Sequence, residues 1–455
     1  MKTTKIFMMA ALALTFAACS NDDNDIQNPA EQPAKAEGIT ITATLAPKTN
    51  GAATRAVTDN GDNKITATWA VNEHIAILYT VGSEKYMADA RITGVDGSGA
   101  ATISFIVVSG TADNTACTLV YPYSAAAKDY KSGVKDAATL LSAQDGTLNA
   151  NLDVRVGAGT IRTTTPGLDV TTQPAAQFAI FKFTLGSAID GTHPLYVKDD
   201  ADNTIITVTP ASSTTTAYVA MPANGTSTTY KFLANTANNR IAKSGAATIT
   251  AGKYYQTTLA ARYPLALSSA TAEWDLGAVA CDDGNLYMEK KAAPAGKTAI
   301  GIVGKVTETG HGLILALQDA TEQSWNTINS WESVTTYADT KLKLLPDDAR
   351  GSLTSYFWLG GIFDHIMVSN WCVAQKSDYD EIFVNLGSTD VNSNGTTYDG
   401  NVNAYITTGV GGTAMTSNNY WSATEYDVNF AWNFGYGWYE LGKGISLSVR
   451  PVLGF

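Results

Sequence analysis

Chemistry needs side chains that converge, and this sequence offers few sets that could. Its four histidines, His74, His193, His311 and His365, lack the paired spacing that holds a metal ion, and His74 falls in a stretch that alternates like a strand. The sequence contains no nucleophile elbow, phosphate-cradling glycine loop or zinc-protease helix, so no catalytic residues and no enzymatic activity are expected. The four cysteines, Cys19, Cys117, Cys281 and Cys372, are too scattered for a disulfide framework or a zinc site. Cys281 and Cys372 share the C-terminal part of the chain, where they either pair or remain two buried thiols. Asp390, Asn392 and Asn394, followed by Gly395, space oxygen ligands as the start of a calcium loop does, but Asn401 stands where a bidentate glutamate is required. Any solvated turn uses the same residues. No cofactor is expected, and calcium is the single metal candidate. Flat rings beside carboxylates stack on and hydrogen-bond to sugars, which makes Glu425, Tyr426 and Asp427, with Tyr436, Trp438 and Tyr439, the candidate ligand surface. Trp421 and Trp432 alternate as core residues do, whereas the glycine-flanked Trp438 reads as core or as ligand surface.

Composition bounds the rest. A chain of 455 residues has room for two to four domains of the usual ~100–200 residues. Charged residues make up 16 % and the abundant threonine, serine, alanine, asparagine and glycine favour β architecture. The net charge of −12 excludes nucleic acid and anionic membrane as natural partners.

Lys2 and Lys5 precede an apolar run from Ile6 to Ala18 that is too short to span a bilayer and has the form of a signal peptide. Its end, Phe16-Ala17-Ala18-Cys19, resembles a lipobox, in which Cys19 becomes the acylated first residue. The acidic stretch Ser20 to Asp25, running on through Pro29 and Pro33, cannot bury enough apolar area to fold and reads as a leash. From Gly38 the pattern turns to strict alternation, with Ile39, Ile41, Ala43 and Leu45 on one face and Thr40, Thr42 and Thr44 on the other. A polar loop from Pro47 to Lys64 follows, with Arg55 in its middle. Strands are expected over 64–70, 73–81, 87–95, 102–108 and 118–123, then over 178–185, 205–208, 217–221, 230–234 and 254–259. Eight of the nine tryptophans lie beyond Arg262, so Tyr263-Pro264 marks a boundary. The resulting division is 1–19 signal, 20–37 tether, 38–165 and 166–262 two β units, and 263–455 a tryptophan-rich C-terminal domain.

Thr68-Trp69-Ala70-Val71-Asn72-Glu73-His74-Ile75-Ala76-Ile77-Leu78-Tyr79, then Leu119-Val120-Tyr121-Pro122-Tyr123 and Ala251-Gly252-Lys253-Tyr254-Tyr255, resemble the fimbrillins, pilin-like subunits of Gram-negative anaerobes. Gly312-Leu313-Ile314-Leu315-Ala316-Leu317-Gln318-Asp319, Asn370 to Ala374 with Tyr379 to Phe383, Tyr420 to Glu425, Ala431 to Asn433, Lys443 and Val449-Arg450-Pro451-Val452 are similar to C-type-lectin-like domains of bacterial surface proteins. Ala374-Gln375 replaces the Pro-Ser usual there. Together these resemblances imply a mainly β chain: two transthyretin-like β-sandwich domains followed by an α+β C-type-lectin-like domain. The Glu-Pro-Asn or Gln-Pro-Asp loop of calcium-dependent sugar binders is missing, so that chemistry is not carried over.

The fimbrillin resemblance further implies that an Arg-specific protease cuts between Arg55 and Ala56, that the strand bearing Ile39, Ile41 and Leu45 leaves, and that a neighbouring subunit's donor strand fills the groove. Removing those three side chains would uncover roughly 5–8 kcal/mol of apolar burial and a bare strand edge. The expected protein is then a fimbrial tip adhesin, exported as a surface-exposed outer-membrane lipoprotein, with the C-terminal domain binding a glycan or host protein. The alternative is a lipid-anchored surface binding protein that never polymerises. A formylglycine-generating type of enzyme would need Cys281 and Cys372 as a reactive pair, without the local context for it.

Overall fold

The computed structural model describes residues 38–48, 58–59, 65–66, 68–127, 134–325, 371–416, 419–435 and 437–455. They are mainly β, as expected, in three successive units each with its own buried apolar cluster.

The first unit opens with β1 (Ile39–Leu45), then a short ladder of β2 (Thr58–Asp59) and β3 (Ile65–Thr66). It continues with β4 (His74–Val81), β5 (Glu84–Val95), β6 (Ala101–Val107), β7 (Thr115–Tyr121), β8 (Ala143–Gln144), β9 (Arg155–Arg162) and β10 (Gly167–Ala176). Seven of these make one sheet in the order β1-β6-β5-β4-β7-β9-β10. Its two edges, β1 and β10, come into contact, so the sheet curls over a core of Ile41, Leu45, Ile75, Ile77, Ile103, Phe105 and Leu119 and supplies both layers itself. The opposite face, through Ala76, Leu78 and Val120, packs into the core of the second unit. A helix, α1 (Ala137–Leu141), is capped by Asp136, whose Oδ1 accepts from the Thr139 amide at 2.8 Å.

The second unit comprises β11 (Phe178–Ile189), β12 (Leu195–Lys198), β13 (Thr204–Val208), β14 (Thr214–Pro222), β15 (Thr228–Asn235), β16 (Arg240–Ala247) and β17 (Tyr254–Leu259). A sheet of order β14-β11-β17 faces one of order β16-β15-β12-β13-β8, with Phe183, Leu195, Val197, Ile206 and Val219 filling the space between. The boundary expected at Pro166 lies elsewhere. Pro166 sits in the turn of the β9–β10 hairpin; β8 reaches across to the second unit's sheet, but the chain returns for β9 and β10 and leaves the first sheet for good between Ala176 and Phe178. Tyr263 belongs to the core of the third unit.

The third unit contains β18 (Leu265–Ala266), α2 (Ala272–Asp275), β19 (Val279–Cys281), β20 (Asn285–Tyr287), β21 (Ala299–Glu308), β22 (His311–Ala316), β23 (Ala320–Ser324) and β24 (Trp371–Cys372). After these come α3 (Lys376–Asn385), β25 (Val391–Asn392), β26 (Gly395–Thr396), α4 (Gly400–Thr407), β27 (Tyr420–Glu425), β28 (Phe430–Phe434), β29 (Trp438–Gly442), β30 (Ser446–Val449) and β31 (Val452–Gly454). One sheet runs β18-β20-β19-β21-β22-β31-β24 and another β23-β30-β27-β28-β29. The Gly312–Asp319 and Val449–Val452 motifs meet here, because β22 pairs with β31 and the fully buried Arg450 lies 2.7 Å from Asp319 through its Nε. Arg450 also donates to the carbonyls of Ala316 at 3.2 Å and Thr413 at 2.9 Å. Gly312 is required where it stands: a Cβ there would lie 2.1 Å from the Lys305 carbonyl oxygen.

The second and third units meet through polar contacts. Arg262 Nε donates to Asp275 Oδ1 at 2.7 Å, Lys231 pairs with Glu273 at 3.1 Å, and Arg240 reaches Glu289 and the Trp274 carbonyl.

Candidate functional site

Two places in the molecule are candidate functional sites, and the first is the β1 edge. The alternation of Ile39–Leu45 plays out in three dimensions: Ile41 and Leu45 are fully buried, Ile39 and Ala43 half-buried, and the threonines mostly exposed. β1 pairs along its whole length with β6, from Ile39 opposite Val107 to Leu45 opposite Ala101, and with no other strand among the described residues. Toward β10 it makes contact without a ladder, helped by the Ala46 amide donating to Gln173 Oε1 at 3.2 Å. Because Ile39 is only half-buried, the apolar hold of the strand rests on Ile41 and Leu45, about 3–6 kcal/mol together. Arg55, Ala56 and Cys19 lie outside the described residues.

Just past β1, at Ala46-Pro47-Lys48, the chain is pinned by a buried polar cluster that no sequence motif announces. Trp69 Nε1 donates to the Ala46 carbonyl at 3.0 Å. The Lys48 side chain is 1 % exposed, and its Nζ lies 3.9 Å from the ring centres of both Trp69 and Tyr121 and 3.4 Å from Asp153 Oδ2. Arg155 Nε contacts both oxygens of Asp153 at 2.9 Å, and the Tyr121 hydroxyl donates to Glu73 Oε1 at 3.0 Å. Burial pushes the Lys48 amine down to about 8, against the pull of Asp153 and Glu73. Burial likewise pushes the Asp153 carboxyl up to about 6, against Arg155 and Lys48.

The second place is where the tip of the β27–β28 hairpin meets the connection from β29 to β30. A cleft of about 330 Å³ is lined there by Val428, Asn429, Gly442, Lys443, Gly444 and Ile445. Val428 is 82 % exposed and Ile445 46 %, apolar surface that water would otherwise disfavour. The floor is Lys443, whose Nζ pairs with Glu425, donates to the Val428 carbonyl at 3.1 Å and lies 4.7 Å from the Trp325 ring. Glu425 thus borders this cleft as a fixed partner of Lys443. Asp427 Oδ1 accepts from the amides of Asn429 and Phe430 at 2.7 and 2.8 Å, shaping the turn that presents Val428. Tyr426 and Tyr439 are exposed, and Tyr426 meets Trp432 edge-on at 5.3 Å. Trp438 is not ligand surface. It is 1 % exposed, donates from Nε1 to the Thr396 carbonyl at 2.9 Å and packs on Phe434. Tyr436 lies outside the described residues. Val428 and Ile445 escaped sequence reasoning because single apolar residues in turns carry no periodic signal, though a Val and an Ile in such turns could have been flagged.

Asp390, Asn392 and Asn394 shape the small β25–β26 hairpin. Asp390 Oδ2 accepts from Thr397 Oγ1 at 2.7 Å, Asn392 Oδ1 from the Asn394 amide at 2.9 Å, and Asn394 Nδ2 donates to the Trp438 carbonyl at 3.2 Å. Among the described residues no group of three or more histidine, cysteine, aspartate or glutamate side chains is placed to hold a metal ion. Cys281 is a free buried thiol pushed up to about 12 by burial. It cannot pair with Cys372, since their strands β19 and β24 stand four places apart in one sheet, about 19 Å at the usual strand spacing. Among the described residues no helix is long and apolar enough to cross a membrane.

No family model matches the chain, and no curated protein does. Among solved structures it is similar to a fimbrial protein from Bacteroides ovatus, at 13 % identity over 92 % of this chain and 100 % of that one, with a TM-score of 0.26. It is also similar to a fimbrial assembly protein from Parabacteroides distasonis, at 12 % identity over 49 % of this chain and 90 % of that one, with a TM-score of 0.27. Scores and identities this low transfer no partner and no activity to the chain.

Proposed function

We propose that this chain is a surface adhesin subunit that accepts a strand from a neighbouring subunit after losing β1, and that displays the hairpin cleft of its third unit to a glycan or protein ligand. The observation that carries the reading is the state of β1: an edge strand, laddered on one side only, whose two core residues fill a seam between β6 and β10. Removing such a strand bares one ladder and one apolar slot and leaves the other six strands of the sheet joined, which is what strand addition needs. In this reading Cys19 carries the lipid during export, proteolysis after Arg55 frees the strand, and the third unit is a lectin-like head whose ligand face includes Val428, Ile445, Tyr426 and Tyr439.

Exposure of the intact protein to an Arg-specific protease tests the first half. Clean cutting after Arg55, followed by loss of residues up to the cut and uptake of a strand peptide, is the expected result. A folded protein that resists the protease, or that keeps the cut segment indefinitely, overturns strand exchange and leaves a lipid-anchored binding protein that does not polymerise. Retention of wild-type but not Val428→Asp or Ile445→Asp protein on a glycan and matrix-protein array tests the second half.

A further inference from the structure

Lys48 supplies one of the cations of the buried cluster beyond β1. Lys48 and Arg155 stand against Asp153 and Glu73, and all four are shut off from water. If residues 46–48 leave with β1, the buried Asp153 loses the Lys48 ammonium beside it, in a place where loss of an ion partner is strongly disfavoured. The walls add a second preference. Trp69 and Tyr121 meet at 89°, and the Lys48 ammonium lies 3.9 Å from both ring centres, the two-walled arrangement by which aromatic cages hold alkylammonium groups. Tyr121 is fixed from behind by its hydroxyl on Glu73, while Trp69 grips the occupying segment through its indole N–H on the Ala46 carbonyl. Arg155 Nε already contacts both oxygens of Asp153, which leaves a compact ammonium better served than a second planar guanidinium.

We propose that Trp69, Tyr121, Asp153 and Glu73 form a binding site for a primary alkylammonium side chain, filled in this chain by its own Lys48, and that this site selects the incoming strand. Lys48 follows the last inward residue, Leu45, by three positions. A strand that replaces β1 therefore carries a lysine three places beyond its last buried residue. The identity of the occupant rests on the strand-exchange reading; the cage's preference for an alkylammonium does not.

Two measurements separate these claims. In the full chain, Lys48→Ala removes the three methylenes and the amine that n-propylammonium would restore. That probe should raise the melting temperature of the variant saturably, while leaving the wild type and Lys48→Met unchanged, and 1-propanol should not substitute for it. Equal rescue by the alcohol, or no rescue, overturns the cage. If Lys48→Ala does not fold, Lys48→Met, which keeps the stem, serves instead: in the intact chain its amides over residues 39–45 should exchange hydrogen faster than those of the wild type, and an equal rate overturns the cage.

In the second measurement, full chain cut by an Arg-specific protease is offered labelled peptides of residues 38–48 ending in lysine, methionine or glutamate. The lysine peptide should be retained about tenfold longer than the methionine one, and the glutamate peptide least. Equal retention of lysine and methionine peptides overturns selection by the cage. Retention of none, with amine rescue intact, overturns strand exchange and the assignment of the occupant, and supports the cage itself.

Discussion

Replacing Leu45 with alanine should loosen β1 and leave the rest of the first unit shut. Leu45 is fully buried at the far end of β1, opposite Ala101, so the substitution removes apolar contacts that no flexible neighbour can replace, at a cost of about 2–5 kcal/mol. How that loss is distributed depends on cooperativity. β1 is laddered only to β6, so its opening need not disturb the β5-β4-β7-β9 ladders at the centre of the sheet. Hydrogen exchange read by mass spectrometry on the full chain distinguishes the cases. Amides of residues 39–45, and those of 101–107 that face them, should exchange faster by roughly 30-fold at the low end and over a thousandfold at the high end. Amides of 74–81 and 115–121 should keep wild-type rates. Acceleration of all four segments by one common factor would show that β1 opens only when the whole unit unfolds. A strand of that kind cannot be exchanged in a folded protein, and the reasoning from the edge would be refuted.

Further outcomes follow from other sites. Arg450→Met leaves Asp319 without its cation and two carbonyls without donors, and should lower the stability of the third unit by about 3–5 kcal/mol, with Asp319→Leu in the same chain restoring much of it. Tryptophan fluorescence during urea unfolding reports this unit, because eight of the nine tryptophans lie beyond Arg262. The Asp153 carboxyl, raised to about 6, contributes stability that is present below the ordinary carboxylate range and lost as pH rises through about 6. The Lys48 amine, lowered to about 8, contributes stability that is complete above 10.5 and lost as pH falls through about 8. Relative to an Asp153→Asn, Lys48→Met double variant, the wild-type first unit should be weakest between those two values, as read by urea midpoints across the range. Val428→Asp and Ile445→Asp should change stability by no more than about 0.5 kcal/mol, since both side chains are exposed, while abolishing capture of the ligand on an array.

Most of the mainly β class was legible because alternation is a local signal. β4, β6, β7, β11, β14, β15 and β17 all fall where alternating apolar residues called for strands. β9, rich in glycine, and β10, polar and interrupted by Pro174, were missed, which is why the first boundary was drawn at Pro166, inside their hairpin. Of the stretch 64–70, expected as a strand, Ile65–Thr66 pairs among the described residues, and Trp69 turns inward to wall the Lys48 cluster. That cluster was invisible for a different reason. Lys48, Trp69, Tyr121 and Asp153 span more than a hundred positions and no motif links them, so their meeting is a property of the curled sheet alone. The aromatic patch was half legible: the turn around Asp427 exposes Tyr426 as glycine-poor turns with aspartate do, yet Trp438, flanked by glycine, is core.

The two ends of the described fold differ in what their departure would leave behind. β31 buries Val452 and Leu453 and is followed by the buried Phe455, an apolar hold comparable with that of β1 at about 1.5–3 kcal/mol for each side chain. It stands, however, between β22 and β24, so withdrawing it would break two ladders at once, detach β24 from the sheet and open the third unit's core. Arg450, just ahead of β31 and bound to Asp319 and the Thr413 carbonyl, would have to leave its buried site as well. Withdrawing β1 cuts nothing, since the remaining six strands stay joined from β6 to β10. Similar burial thus gives opposite outcomes, and position in the sheet decides between them: an edge strand can be traded for another, while an interior one is part of what keeps its unit folded.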